Sequence, residues 1–222
     1  MPSSMRQAIA RLMTYSKREI PHYYLTRHAD VGQALARREE WNAGRAKEEQ
    51  VSINDVILKA VACGLAAYPL FNSYYQDETL HPQPRINLGL AIALEDGLIA
   101  PALLDCQALS LDALAQERRA LVGRARAGTL RATEYTAATF TVTNLGMYAI
   151  DSFTAIIVPP QVGILAVGQV AEGPVVRDGM LGIATQLTFT LSGDHRATDG
   201  AQGAQLLGEI VQCLENPNAL FT

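Results

Sequence analysis

The stretch Asp194-His195-Arg196-Ala197-Thr198-Asp199-Gly200 decides how this chain is read. Before it, Leu187-Thr188-Phe189-Thr190-Leu191-Ser192 alternates apolar and polar residues, the period of a half-buried strand. After it, Ala201 to Leu214 has helical periodicity. The heptapeptide is therefore expected at a strand-to-helix junction, where His195 is held rigidly and still reaches a cleft. An imidazole so placed takes and returns a proton near neutral pH. A plainer reading stands beside this one. Asp199 immediately precedes the helix, and aspartate is a favoured N-cap because its carboxylate accepts from free backbone N–H groups. His195 would then simply end a strand. His195 and Asp199, four apart, also have a spacing that suits a metal. No second cluster of His, Cys, Asp or Glu at ligand spacing joins them, so no metal is expected.

Working back towards the N-terminus, the last third of the chain reads as strand-rich. Asp178-Gly179 is a hairpin signal leading into the long strand that ends at Ser192. Phe153 to Val158 and Val162 to Val167 are apolar runs separated by Pro159-Pro160, and Ala138 to Thr143 alternates. Ser110 is placed to cap a helix running to about Ala127, with Gly128 as its stop. Ile86 to Leu94 alternates large and small residues and predicts one strand with a bulky face and a small face. Asp96-Gly97 turns that strand into Leu98-Ile99-Ala100-Pro101.

In the first third, Ser52 and Asp55 form a capping-box pattern for a helix whose apolar face includes Ile53, Val56, Ile57, Ala60, Val61 and Leu65, stopped by Pro69. Asp30 is expected to cap a helix carrying Val31 and Leu35, and the polar run before Gln50 to be a mobile solvated loop. His22 to Thr26 reads as a short strand, preceded by a helix from about Ser4 to Arg18 striped by Met5, Ile9, Leu12 and Met13. Helices early and strands later predict one mixed α/β domain rather than a regular βαβ series.

Composition agrees. The chain has 222 residues, 49% hydrophobic and 18% charged, enough apolar material for a substantial core. The net charge of −4 and the scattered Lys and Arg give no basic face for nucleic acid. No apolar stretch approaches the length of a membrane span. The first eleven residues lack the apolar core of a secretion signal. Cys63, Cys106 and Cys213 are odd in number and widely spaced, so they read as reduced core thiols in a cytoplasmic protein.

Taken in order, a series of motifs resembles the catalytic core of the dihydrolipoamide acyltransferases, the E2 component of 2-oxoacid dehydrogenase complexes. They are Met5-Arg6-Gln7-Ala8-Ile9-Ala10-Arg11, Ile20-Pro21-His22-Tyr23-Tyr24, Ser52-Ile53-Asn54-Asp55 and Gly97-Leu98-Ile99-Ala100-Pro101. Thr139-Phe140-Thr141-Val142-Thr143-Asn144-Leu145-Gly146, Pro159-Pro160-Gln161-Val162-Gly163-Ile164-Leu165 and the His195 heptapeptide complete the series. The resemblance spans almost the whole chain. It implies a chloramphenicol-acetyltransferase-like fold, a mixed β-sheet covered by helices in two layers. It implies a trimer whose active sites lie between subunits, the histidine from one and a hydroxyl from its neighbour. Trimers of such proteins often assemble further into hollow cubes or dodecahedra.

The reaction implied is acyl transfer between coenzyme A and a dihydrolipoamide thiol, with both as substrates and no covalently bound cofactor. His195 would be the general base, and Thr143, where the family usually carries serine, the hydroxyl that stabilises the oxyanion. Asp199 would order the site and pair with an N-terminal arginine, Arg11 or Arg6. Arg37, Ser52, Asn144 and Gly168 fall where the family contacts coenzyme A.

Gly193, Ala149 and Val158 depart from the family's usual residues and put the acyl group and acceptor in doubt. A related transferase with another acceptor, such as an alcohol, or a mainly structural core are the competing readings. Residues 1–222 read as a single acyltransferase catalytic domain. None of Lys17, Lys47 and Lys59 lies in an Asp-Lys-Ala hairpin, so no lipoyl domain is expected, nor a peripheral subunit-binding domain. Lipoyl domains would come on other chains or on a missing N-terminal part, with the E1 and E3 components as further partners.

Overall fold

The computed structural model describes residues 3–94 and 97–222. It opens with α1 (Ser4–Glu19), capped by the Ser3 hydroxyl, then β1 (His22–Asp30), α2 (Gly32–Asn42) and α3 (Ile53–Ala67). The hairpin β2 (Ser73–Gln76) and β3 (Thr79–Pro82) follows, then β4 (Leu88–Leu90), β5 (Ile92–Leu94), β6 (Gly97–Ile99) and β7 (Ala102–Leu103). Next come α4 (Leu111–Ala127) and the short α5 (Ala132–Thr136). The last third holds β8 (Phe140–Asn144), β9 (Gly163–Val167), β10 (Ala171–Arg177), β11 (Met180–Asp194) and α6 (Gly200–Glu215).

The main sheet has the order β1-β11-β9-β8-β4-β7, with β10 paired to β11. It is mixed: β4, β8 and β9 run parallel, whereas β1 and β9 are both antiparallel to β11. Leu187, Phe189 and Leu191 of β11 enter one core with Val61 and Leu65 of α3 and Leu206, Ile210 and Leu214 of α6. One face of the sheet thus lies under a helical layer, the two-layer arrangement expected.

Several local signals act as read. Ser52 and Asp55 close a reciprocal capping box on α3. Ser110 caps α4, and Gly128 ends it in the left-handed region with φ 67°. Asp178 and Gly179, both at positive φ, join β10 to β11. The three cysteines are free thiols. Burial pushes Cys106 up to about 12 and Cys213 up to about 11, so neither is a thiolate near neutral pH.

Other elements differ. The expected strand from Ile86 to Leu94 is broken at Ala91, whose N–H donates to Val142 O (3.1 Å). β4 stays in the main sheet while β5 pairs with β6 in a separate ribbon. Asp96 lies outside the described residues. Phe153 to Val158 forms no strand. It crosses the polar face of the sheet as a strap, its carbonyls taken by side chains: Ser192 Oγ donates to Ala155 O (2.7 Å) and Ser16 Oγ to Ile157 O (2.6 Å). Thr188, Thr190 and Ser192 are all buried, so β11 is covered on both faces rather than half-buried. β1 extends four residues beyond Thr26, and Asp30 closes a turn by accepting from Gly32 N–H (3.0 Å) instead of capping α2. The loop before Ser52 is tied at its base by two hydrogen bonds between Asn42 and Val51. Leu220 and Phe221 pack into their own core, Phe221 edge-on to Trp41.

Candidate active site

Strand β11 ends at Asp194, and α6 begins at Gly200. The turn between them is closed by the Asp194 carbonyl, which accepts from Ala197 N–H (3.1 Å), Thr198 N–H (2.9 Å) and Thr198 Oγ1 (3.1 Å). His195 stands at the crown of this turn with an exposed side chain. Its backbone N–H donates to Pro21 O (3.0 Å), so the residue between α1 and β1 holds the turn from outside. The ring meets Tyr23 edge-to-face, centroids 5.4 Å apart and planes at 74°. Among the described residues, neither nitrogen of His195 has a hydrogen-bond partner within the chain. The nitrogens are therefore free to serve a ligand.

Four residues that sequence reasoning missed build this turn. Tyr23 shares a hydrogen bond with Thr198 Oγ1 (2.9 Å), and burial raises its phenol above the usual range, keeping it protonated. Asp194 is fully buried and paired with Arg196 (2.7 Å). Both charges are visible in the sequence, but burial is a tertiary property that singles out Asp194.

Asp199 is the N-cap of α6. Its Oδ1 accepts from Gln202 N–H (2.9 Å), and Gln202 Oε1 accepts from Asp199 N–H (3.0 Å). The expected arginine pair is not formed: Asp199 and both Arg6 and Arg11 are exposed, and among the described residues Asp199 makes no ion pair. The cap engages the Asp199 carboxylate, and the buried carboxylate of the turn is Asp194, whose partner is two residues away.

Thr143 lies near the C-terminal end of β8, half-buried, and its hydroxyl has no partner among the described residues. Around it gather three of the four candidate contacts for coenzyme A. Asn144 Oδ1 accepts from Gly146 N–H (2.8 Å), and its Nδ2 donates to Asn54 Oδ1 (3.1 Å) in the first turn of α3. Ser52 caps the same turn, its Oγ donating to Asp55 Oδ2 (2.5 Å). Gly168 follows β9 at a point where a Cβ would collide with the Asp151 carbonyl, and its own carbonyl packs on Gly146. Arg37 is engaged elsewhere: it pairs with Glu40 (3.2 Å) and lies over the rings of Trp41 and Phe221.

Register fixes the relation between the two ends. Thr143 is level with Ala166 of β9, and Ala166 with Thr190 of β11. Five residues of β11 and two strand spacings then separate Thr143 from His195, about 19 Å between Cα atoms. One chain cannot bring imidazole and hydroxyl to the same substrate atom.

Comparison with known proteins adds three findings. Residues 2–222 match the family model of the 2-oxoacid dehydrogenase acyltransferase catalytic domain. The chain is 38% identical over 216 residues to the dihydrolipoyllysine-residue acetyltransferase component of the Zymomonas mobilis pyruvate dehydrogenase complex, covering 97% of this chain and 49% of that protein. The Rickettsia bellii counterpart is 35% identical over 217 residues, covering 97% and 52%. The chain thus spans about half the length of the curated relatives it matches. Among solved structures, dihydrolipoamide acetyltransferase of Azotobacter vinelandii superposes with a TM-score of 0.94 at 28% identity, covering 100% of this chain and 93% of that one. That structure belongs to an investigation of a serine, a histidine and an asparagine in its catalytic mechanism. There the serine stands 52 positions before the histidine and the asparagine four after it. Thr143 and Asp199 stand at the same separations from His195. Chloramphenicol acetyltransferase shares the fold alone, at 14% identity and a TM-score of 0.62.

Proposed function

Since the chain belongs to the family of 2-oxoacid dehydrogenase acyltransferase catalytic domains, we propose that it moves an acyl group between the thiol of coenzyme A and a dihydrolipoamide thiol. The observation that carries this reading is the exposed His195 on a braced turn, with a hydroxyl 52 positions before it as in the Azotobacter enzyme. A free thiol has a pKa of about 8.5, so little thiolate is present at neutral pH and a base at the sulfur is needed. His195 takes the proton of the coenzyme A thiol as its sulfur attacks the carbonyl of acyl-dihydrolipoamide. The oxyanion so formed accepts a hydrogen bond from the Thr143 hydroxyl. As the intermediate collapses, the C–S bond to dihydrolipoamide breaks and His195 returns the proton to that sulfur.

With about 19 Å between the two groups in one chain, the shared site requires a second copy to lend Thr143. The assembly proposed is a homotrimer, the arrangement the family resemblance implies, a closed ring in which every His195 meets a neighbour's hydroxyl across identical interfaces. Asn144, Gly168 and the α3 N-terminus line the coenzyme A end beside Thr143. Lipoyl groups arrive on lipoyl domains outside the described fold, and the E1 and E3 components supply and reoxidise them. The free thiols suit a reducing compartment, the cytoplasm.

Acetyl-CoA with dihydrolipoamide is the assay. His195→Ala and Thr143→Val should each be nearly inactive. When the two variants are unfolded together and refolded, about one quarter of the sites recover both groups by random mixing across identical interfaces. Full activity in His195→Ala would remove the imidazole from the chemistry, and a parent protein that transfers no acyl group would be a structural core. Transfer to hydroxyl acceptors alone would replace the acceptor. A stable, active monomer would end the shared-site reading.

A further inference from the structure

His195 carries an exposed ring at the crown of a five-residue connection, a place where side chains ordinarily wander. Two fixed points are described above, Pro21 O on its N–H and the ring of Tyr23. A third lies on the other side of the turn. The Arg196 guanidinium donates from Nε to both carboxylate oxygens of Asp194 (3.0 and 3.3 Å) and from Nη2 to Oδ2 (2.7 Å). Its backbone N–H reaches the same Asp194 Oδ1 (2.9 Å). These bonds close a ring of atoms through the main chain of His195, so the backbone that aims the imidazole is part of a closed loop. The far face of the guanidinium lies 4.5 Å over the ring of Tyr75 in β2.

Tyr75 is itself immobilised. Its N–H donates to Pro160 O (2.8 Å), and the neighbouring Tyr74 hydroxyl donates to Ala138 O (3.0 Å). Gln161, buried, donates to the same Ala138 carbonyl and accepts from Thr141 Oγ1 (2.7 Å). The β2–β3 hairpin and the Pro159-Pro160 corner are thus bolted to the start of β8.

We propose that Arg196, clamped between the buried Asp194 carboxylate and the face of Tyr75, is the positioning residue that holds His195 in its working orientation. This rests on the reading of His195 as the base. The requirement is for arginine rather than for a positive charge. A planar guanidinium reaches a carboxylate with two donors and an aromatic face at once, whereas an ammonium makes a single point contact. The clamp also faces solvent, lining a cleft of about 580 Å³ with Tyr15, Tyr75, Pro159 and Pro160.

The test has two readouts. Arg196→Lys should lower kcat of acyl transfer about ten- to a hundredfold, the cost of a misplaced catalytic group, with KM for acetyl-CoA little changed. The His195 Cε1–H resonance, assigned by its loss in His195→Ala, should go from one sharp line to a broadened or doubled one. Tyr75→Leu should repeat both effects while Tyr75→Phe, which keeps the ring face, should behave as the parent protein. That pair decides the matter if the Arg196 variant does not fold. Guanidinium ion added to Arg196→Ala should restore part of kcat through the open cleft. A parent-like kcat and one sharp His195 line in Arg196→Lys and Tyr75→Leu would overturn the proposal. So would a loss confined to KM. If His195→Ala transfers acyl groups as fast as the parent, the functional reading fails, and the resonance comparison still decides whether Arg196 orders the ring.

Discussion

The ring of Tyr23 occupies the space in which a side chain at Gly193 would stand. A Cβ built on Gly193 collides with the Tyr23 ring and hydroxyl, and Gly203 of α6 confines the same ring from the other side. Because the Tyr23 ring packs on His195, the glycine is a condition for aiming the imidazole. Gly193→Ala is expected to destabilise the fold by about 1–3 kcal/mol, the usual cost of overpacking. It should also lower the transfer rate. Thermal unfolding and a rate assay on one preparation check both; an active, fully stable variant would show that Tyr23 has another place to go.

Asp199 should separate capping from charge. Asp199→Ala removes an N-cap and should cost about 1 kcal/mol of stability, whereas asparagine caps nearly as well as aspartate. Asp199→Asn should therefore unfold within a few tenths of a kcal/mol of the parent in urea. Equal losses in the two variants would mean that the carboxylate has a partner beyond Gln202.

Thr143 offers a hydroxyl and a methyl group. Thr143→Ser keeps the donor and should retain most activity. Thr143→Val keeps the shape and should lose about 10²–10³ in kcat, the scale of one missing oxyanion donor. Steady-state rates on acetyl-CoA decide it, and a valine variant as fast as the serine one would remove Thr143 from the chemistry.

At the N-terminus of α3, the Arg118 guanidinium forks onto Asp55, whose side chain is fully buried and also accepts from Ser52. Arg118→Met leaves that carboxylate buried with its neutralising partner gone, at a cost of about 3–5 kcal/mol. Since Asn54 lies in the same turn and holds Asn144, the damage should reach the Thr143 end of the sheet. Denaturant titration measures the first effect and KM for coenzyme A the second. A variant within experimental scatter of the parent would refute the account of Asp55.

His22 gives the pH dependence a sign. Its Nδ1 lies 2.8 Å from Ile20 O, and its Nε2 accepts from Ile157 N–H (3.1 Å) in the strap over the sheet. That pattern requires a neutral ring with its proton on Nδ1. Burial, the largest influence, holds the group below its ordinary value of about 6.5. The unfolded chain therefore takes up a proton first as the solution is acidified. The contribution of His22 is fully present above pH about 6.5 and declines as the pH falls from there towards the folded value. Urea midpoints measured from pH 7.5 down to 5 should fall less steeply for His22→Gln than for the parent. Parallel curves would assign the acid sensitivity to other groups.

How much of this was legible in the residues follows from the range of the forces involved. Caps and turns are local, so Ser52 with Asp55, Ser110 with Gly128 and Asp178 with Gly179 announced their elements, and the strand-to-helix change around His195 was readable from two periodicities. The order of motifs carried the family, and with it the expectation of a histidine and a hydroxyl on different subunits. Other assignments depended on neighbours far along the chain. The alternating segment from Ile86 divided at Ala91 because its first half pairs with β8 in the main sheet and its second half with β6. The apolar Phe153 to Val158 became a strap because Ser16 and Ser192 offered its carbonyls side-chain donors.

The sequence alone determined the chemical groups and their local frames: an imidazole at a turn, an N-cap after it, a hydroxyl on a strand. Only the tertiary structure decided that Asp194 rather than Asp199 is the buried charge, that Tyr23 and Tyr75 brace opposite sides of the turn, and that Thr143 stands at the far end of the sheet. Periodicity and capping act over a few residues, whereas burial, strand register and ring packing are set by segments more than a hundred positions apart, whose meeting no local pattern encodes.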